Sequence, residues 1–224
     1  MHLRLALYSE PEASANRPMD ERMVSLLNAA QPRIGYVAAS PDPQRFWFSR
    51  LQQHYQSLGA RFDLYVDETH ADFREAGAQL CDCDAIYLSG GNTFHFLAWL
   101  RQTPLLAALH RYATHGGMLI GVSAGAILMT PTVATAVLCG DERDPSNPDE
   151  RALGLVRFGF WPHYQVGQER ELRIAMAEDF TWPLYACPDG AGVIVNGTQI
   201  ERHGPVVAFE RERAGLCPWP LEPI

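Results

Sequence analysis

Lysine is absent from this chain: all 18 basic residues are arginine. That one absence removes a Schiff-base lysine, a P-loop lysine and a Ser–Lys dyad from the available chemistries. Positive charge is also outweighed, with 18 basic against 26 acidic residues and a net charge of −8. This balance argues against nucleic acid or an anionic membrane as the main partner, because both are bound through clustered cations. No long apolar run is present, and Met1-His2-Leu3-Arg4 leads straight into a strand, so no cleaved leader and no membrane span are expected. Cysteine is sparse and odd in number: Cys81, Cys83, Cys139, Cys187 and Cys217. Cys81-Asp82-Cys83 has the wrong spacing for a zinc knuckle and no matching second pair, so no metal is expected. Reduced thiols in a cytoplasmic protein are the expectation.

What is present suits one domain with a substantial core, at 224 residues and 47% hydrophobic content. The domain is expected over 1–216. A Pro-rich tail, 217–224, follows, whose run from Pro218 to Pro223 is not expected to form a regular element. Strand-like segments are Leu3 to Tyr8, Arg33 to Ala38, Phe62 to Val66, Asp84 to Leu88 and the apolar run ending at Val122. Helix-like segments lie between them, at Pro18 to Ala30, Gln44 to Leu58, His70 to Leu80, Thr93 to Leu100 and Pro104 to His115. Alternation of this kind predicts an α/β fold, a three-layer sandwich around a mostly parallel, doubly wound sheet. Strands that are apolar throughout, such as Ile34 to Ala38, fit a sheet covered on both faces. Nearer the C-terminus, Val193-Ile194-Val195 and Gln199 to Arg202 flank Asn196-Gly197, a hairpin signal. With Pro205 to Phe209 as a third strand, it predicts an antiparallel extension at the sheet edge.

The segment Met118 to Ile127 carries the chemistry. An apolar strand runs into Gly121-Val122-Ser123-Ala124-Gly125, and a second apolar stretch follows at once. G-x-S-x-G between a buried strand and a helix is the pattern of a nucleophile elbow, in which small residues allow a sharp turn and leave the serine hydroxyl exposed over a helix N-terminus. Free N–H groups there can stabilise an oxyanion. The bland alternative is a small-residue turn with a capping serine.

A serine needs a base. Among the eight histidines, His163 stands out, in Phe158-Gly-Phe-Trp-Pro-His-Tyr164 at the end of an apolar strand. A satisfied buried histidine would explain the same pattern. Ser89-Gly90-Gly91-Asn92 also follows a strand and precedes a helix. Its glycines let backbone approach a ligand and turn an N–H toward it. Alternatively it caps the next helix, with Asn92 as N-cap, or cradles a phosphate, though no G-x-G-x-x-G or Walker pattern is present.

Gly90-Gly91-Asn92-Thr93-Phe94, Gly121-Val122-Ser123-Ala124-Gly125-Ala126 and Pro162-His163-Tyr164 together resemble peptidase family S51, whose members include aspartyl dipeptidases. The similarity runs from the first strand to the Asn196-Gly197 hairpin. It implies a class I glutamine-amidotransferase-like fold with serine in place of cysteine. It also implies a serine peptidase acting near the N-terminus of short peptides without a cofactor, as a monomer or homodimer. Carried over by position, Ser123 becomes the nucleophile, His163 the base, and Gly91 and Ala124 the oxyanion donors, with Asn92 beside them as a candidate substrate contact. The family's third residue, an aspartate, would fall at or near Leu138. The carboxylates nearest to it are Asp141 and Glu142; Asp141 is favoured because it directly follows Gly140, and each is otherwise a solvated loop charge. Arg170, and one turn on Arg173, resemble the cation expected to hold an aspartyl substrate; an ordinary charge pattern on an exposed helix is the alternative. Two other readings remain: a general acyl hydrolase with an apolar pocket from Phe158, Phe160 and Trp161, and a non-catalytic binding module. An unpaired Ser123, distant from His163, would favour the last.

Overall fold

A computed structural model describes residues 2–11, 14–168, 182–212 and 215–218. Five parallel strands form the centre: β1 (Arg4–Tyr8), β2 (Arg33–Val37), β3 (Arg61–Val66), β4 (Ala85–Leu88) and β5 (Met118–Val122). A hairpin, β8 (Gly192–Asn196) and β9 (Gln199–His203), adds to the β1 edge in antiparallel sense, giving the order β3-β2-β4-β5-β1-β8-β9. This is the expected mostly parallel sheet with an antiparallel edge.

Alternation along each strand sends side chains to two cores. Leu5 and Leu7 of β1 join Ile86, Leu88 and Leu119 on one face, while Ala6 and Tyr8 join Ile34, Tyr87 and Ile120 on the other. The first face is covered by α3 (Phe73–Cys81), α4 (Thr93–Arg101), α5 (Leu105–Thr114) and the short α6 (Ala124–Ile127). The second is covered by α1 (Arg17–Ser25) and α2 (Phe46–Gln56). Two helix starts are fixed by side-chain caps. Asp72 accepts from the N–H groups of Arg74 and Glu75 before α3, and Asn92 accepts from His95 N–H before α4. The helix at Pro18 to Ala30 is shorter than its sequence suggests: α1 stops at Ser25, and Arg4 Nη1 takes the free carbonyl of Leu26 at 2.8 Å.

Three expectations need correction. Pro205 to Phe209 does not extend the main sheet. It enters β10 (Val207–Glu212) of a separate four-stranded sheet, in which β10 lies between β11 (Gly215–Pro218) and β7 (Leu184–Cys187), and β7 pairs in turn with β6 (Gly159–Pro162). Gly204, at φ +75°, turns the chain off the hairpin, so β9 keeps its outer edge unpaired within the described sheet. The strand ahead of His163, β6 (Gly159–Pro162), belongs to this second sheet too, lying parallel to β7 (Leu184–Cys187). The tail boundary also moves: Cys217 and Pro218 end β11 (Gly215–Pro218), which pairs with β10. A proline is tolerated there because β11 is an edge strand. Among the described residues no helix is long and apolar enough to cross a membrane, no acid–His–Cys cluster suits a metal, and Cys81, Cys83, Cys139 and Cys187 are free thiols.

Candidate active site

β5 delivers its last residue, Val122, to a turn that no ordinary residue adopts freely. Ser123 sits at φ 50°, ψ −110°. Such a conformation costs on the order of 1–3 kcal/mol and persists only where its surroundings hold it. Here they do. Ser123 N–H donates to Tyr8 O at 2.9 Å, and Ser123 O accepts from Ala126 and Ile127 N–H, each at 3.0 Å. Gly125 N–H donates to Ser89 O at 3.1 Å, tying the elbow to the end of β4. Both glycines of the motif are required by space. A Cβ on Gly121 would lie 2.5 Å from Gly125 O, and one on Gly125 only 2.3 Å from Leu88 O. The helix behind the serine is a single turn, so local N–H groups, rather than a long macrodipole, supply the positive end. With the next three N–H groups committed, that of Ala124 is the one this turn offers to a ligand.

The base comes from the other sheet. His163 follows β6 and also has a positive φ, 58°. Its Nε2 lies 3.1 Å from Ser123 Oγ and its Nδ1 lies 2.7 Å from Asp189 Oδ1. Asp189, and not Asp141, is therefore the carboxylate on His163. The register explains why: β6 and β7 run parallel with Pro162 opposite Cys187, so the residues just beyond each strand, His163 and Asp189, emerge at the same end. Gly190, at φ +82°, turns the chain back, and Ala191 N–H closes the turn on Pro188 O at 3.0 Å. Sequence reasoning missed Asp189 because its strand was not recognised. The available signal was Pro188-Asp189-Gly190 directly after the apolar Leu184 to Cys187.

Ser9, fully buried just past β1, joins the parts. Its hydroxyl accepts from His163 N–H at 2.8 Å and donates to Asp189 Oδ1 at 3.1 Å, while its own N–H donates to Ala191 O at 3.1 Å. With Nδ1–H donating to Asp189, the Nε2 lone pair faces the Ser123 hydroxyl, which is the arrangement a general base needs. An unpaired serine, the condition set for a non-catalytic module, is not what this geometry gives.

Asp141 does different work. Its Oδ2 accepts from Thr93 N–H at 2.8 Å and its Oδ1 from Asn92 Nδ2 at 3.4 Å, so it supports the start of α4. Glu142 is an exposed loop residue. Asn92 itself is a helix cap, with its Oδ1 on His95 N–H at 2.8 Å, and it is not in the described lining of the cavity beside Ser123. Gly91 lines the cavity beside Ser123. It sits at φ +145° with Ala39 so close that a Cβ would approach 2.7 Å. Ser89 Oγ fixes this loop, accepting from Ala39 N–H and donating to Gly90 O, both at 2.8 Å. Phe158 and Phe160 are buried in the core on the first face of the main sheet and Trp161 in a separate cluster with Tyr164, Leu184 and Phe209, and none of the three is in the described lining of the cavity beside Ser123. Arg170 and Arg173 lie outside the described residues. A cavity of about 530 Å³ opens beside Ser123, Gly91 and His163.

The sequence model of peptidase family S51 matches residues 5–203. Peptidase E of Nostoc sp. is 27% identical over 171 residues, 71% of this chain and 65% of that protein, so this chain spans just under two thirds of it. Peptidase E of Shewanella amazonensis is 29% identical over 202 residues, 79% of this chain and 82% of that one. Among solved structures, a Listeria monocytogenes protein provisionally assigned to peptidase E has a TM-score of 0.70 at 20% identity, covering 90% of this chain and 98% of that one. A peptidase from an acI-B1 Actinobacterium has a TM-score of 0.66 at 16% identity, covering 97% and 98%.

Proposed function

We propose a reaction for this chain from one premise: it belongs to peptidase family S51. It is a serine peptidase that hydrolyses short peptides near the N-terminus through an acyl-enzyme. The observation carrying this reading is the chain Asp189–His163–Ser123, at 2.7 and 3.1 Å, ending on a serine held in a strained elbow. Ser123 Oγ attacks the scissile carbonyl while His163 Nε2 takes its proton. The oxyanion forms between the N–H groups of Gly91 and Ala124. His163 then protonates the leaving amine, and a water activated by the same nitrogen hydrolyses the ester to free Ser123. Asp189 acts through His163, fixing its tautomer and stabilising the imidazolium. Ser9 positions both. No step calls on a metal or an organic cofactor.

The restriction to dipeptides and N-terminal residues comes from the resemblance to peptidase E. An aspartyl preference is not part of the proposal, since nothing described in the cavity supports it. The test is hydrolysis of a dipeptide panel by wild type and Ser123→Ala side by side. Loss of about 10⁴- to 10⁶-fold in kcat/KM is expected for the variant. Equal turnover by the two proteins would sink the serine mechanism.

A further inference from the structure

The peptide unit between Gly90 and Gly91 lies against the nucleophile: a Cβ on Gly90 would sit 3.6 Å from Ser123 Cβ and 3.7 Å from Val122 O. Glycine on both sides of a peptide removes the Cβ contacts that favour one of its faces, so this unit can turn over at little steric cost. Turned over, it presents a carbonyl oxygen where an oxyanion needs a donor. The two glycines supply room but no direction.

Ser89 supplies the direction. Its side chain is buried at the end of β4, and its hydroxyl has two partners, each at 2.8 Å. Ala39 N–H can only donate and Gly90 O can only accept, so Ser89 Oγ takes the first proton and gives its own to the second. In a planar trans peptide the C=O and N–H point in opposite directions. Holding Gly90 O on the Ser89 hydroxyl therefore turns the Gly91 N–H the other way. The hydroxyl is anchored in its turn. Trp99 Nε1–H of α4 donates to Ala39 O at 3.1 Å, which fixes the residue whose N–H Ser89 accepts. The Ser89 backbone ties β4 to both neighbours, with its N–H on Val37 O at 3.0 Å and its O accepting from Gly125 N–H at 3.1 Å. The end of β2, the end of β4 and the elbow thus meet on one residue.

We propose that Ser89 is a positioning residue whose hydroxyl latches the Gly90–Gly91 peptide, so that the Gly91 N–H faces the oxyanion formed when Ser123 attacks. The inference rests on the reading of Ser123 as an activated nucleophile with Gly91 as an oxyanion donor, and adds the group that aims that donor. Ser89 acts through the backbone of Gly91 and not on the reacting atoms. Without its hydroxyl, Gly90 O is released and the N–H on the far side of the same peptide is no longer held. The donor then faces the oxyanion for only part of the time.

A fluorophosphonate probe tests this without knowledge of the preferred peptide. Ser123 Oγ bonds to phosphorus, fluoride leaves, His163 takes the serine proton, and the phosphoryl oxygen occupies the place of the oxyanion. Labelling rates over a range of probe concentrations separate kinact from KI for wild type, Ser123→Ala and Ser89→Ala. Loss of a whole oxyanion donor costs about 10²- to 10³-fold in rate, and a donor left in place but unaimed should lose part of that. For Ser89→Ala, kinact is therefore expected to fall about 10- to 100-fold, with KI within about three-fold of wild type. Tm should fall as well, because Ala39 N–H loses its acceptor. A merely structural Ser89 would lower Tm and leave kinact of the folded protein unchanged. Should Ser89→Ala not fold, Ser89→Cys keeps a side chain at the site with a weaker donor, and a fall of about three- to ten-fold in kinact is expected of it. A folded Ser89 variant with the kinact of wild type overturns the inference and leaves the activated serine standing. So does a rise in KI alone, which would make Ser89 a ligand contact. A wild type that labels no faster than Ser123→Ala overturns both.

Discussion

The seven-stranded and four-stranded sheets each supply one end of the Ser123–His163–Asp189 chain, by different means. The main sheet builds its end from consecutive residues: strand, serine, one-turn helix, with Gly121 and Gly125 making room. The residues that make the turn are consecutive, although Tyr8 O and Ser89 O on neighbouring strands hold it. The small sheet builds its end from two strand termini 26 residues apart, and only the β6–β7 register brings them together. Ser9, at the end of a main-sheet strand, is the buried link between the two. A nucleophile can thus be specified by a short motif, whereas its orienting carboxylate is specified by topology.

The sharpest way to break that comparison is to remove each candidate carboxylate in turn. Asp189→Asn keeps the shape but lets Nδ1 face an amide. A change to the wrong tautomer costs up to about 10⁴-fold in kcat, and about 10²- to 10⁴-fold is expected here because Asp189 is largely exposed. Asp141→Ala should act on stability instead. Losing a helix-start acceptor costs about 1 kcal/mol, or roughly 2–4 °C in Tm for a chain of this size, with kcat within about five-fold of wild type. Thermal melts and kinetics on both variants decide it. The reverse pattern would return the orienting role to Asp141.

Those two aspartates also mark where the sequence stops being legible. Five parallel strands, the Asn196-Gly197 hairpin and the elbow could be read because each depends on neighbours in the chain, namely apolar runs, turn residues and close-packed glycines. His163 was readable as the residue closing an apolar strand. Asp141 looked suitable because it lies near Ser123 along the chain, but separation along the chain does not measure distance across a strand register. Likewise, β10 looked like a neighbour of the hairpin because it follows it, and it pairs with β7 instead. Asn92 satisfied a motif and a cap at once, and only the bond to His95 N–H shows which its side chain serves.

A smaller effect is expected at the link between the sheets. Ser9→Ala leaves His163 N–H without its acceptor and Asp189 without one donor, while Asp189 still touches Nδ1. A buried donor left unpaired costs about 1–3 kcal/mol, so Tm should drop. If Ser9 positions the base, kcat should also fall about ten-fold with KM nearly unchanged, the signature of an interaction that matters in the transition state. A fall in Tm alone would reduce Ser9 to a structural bond, and the sheets would be joined for stability only.

The smallest effect separates the sheets by acid. The outer hairpin of the main sheet is pinned to α1 by Arg22, whose Nε and Nη2 donate to Glu201 at 2.8 and 2.7 Å. That pairing holds the Glu201 carboxyl below its ordinary value. On acidification the unfolded chain therefore takes up this proton first; the stabilisation is complete above the usual glutamate value of about 4.3 and is lost as pH falls through the lower folded one. His203, on the same strand, is shifted down by burial, with Glu201 opposing the shift. Its neutral form is the one the fold accepts, so its contribution is complete above about 6.5 and is lost on acidification from there. Both groups work in the same direction, and Tm should decline in two stages below neutrality. Glu201→Gln should remove the lower stage, worth at most about 1 kcal/mol for a partly exposed pair, and enlarge the upper one, because Glu201 no longer opposes the His203 shift. Tm measured from about pH 8 down to about pH 2.5 on both proteins tests this, and an unchanged lower stage in the variant would place the acid sensitivity elsewhere than at the main-sheet edge.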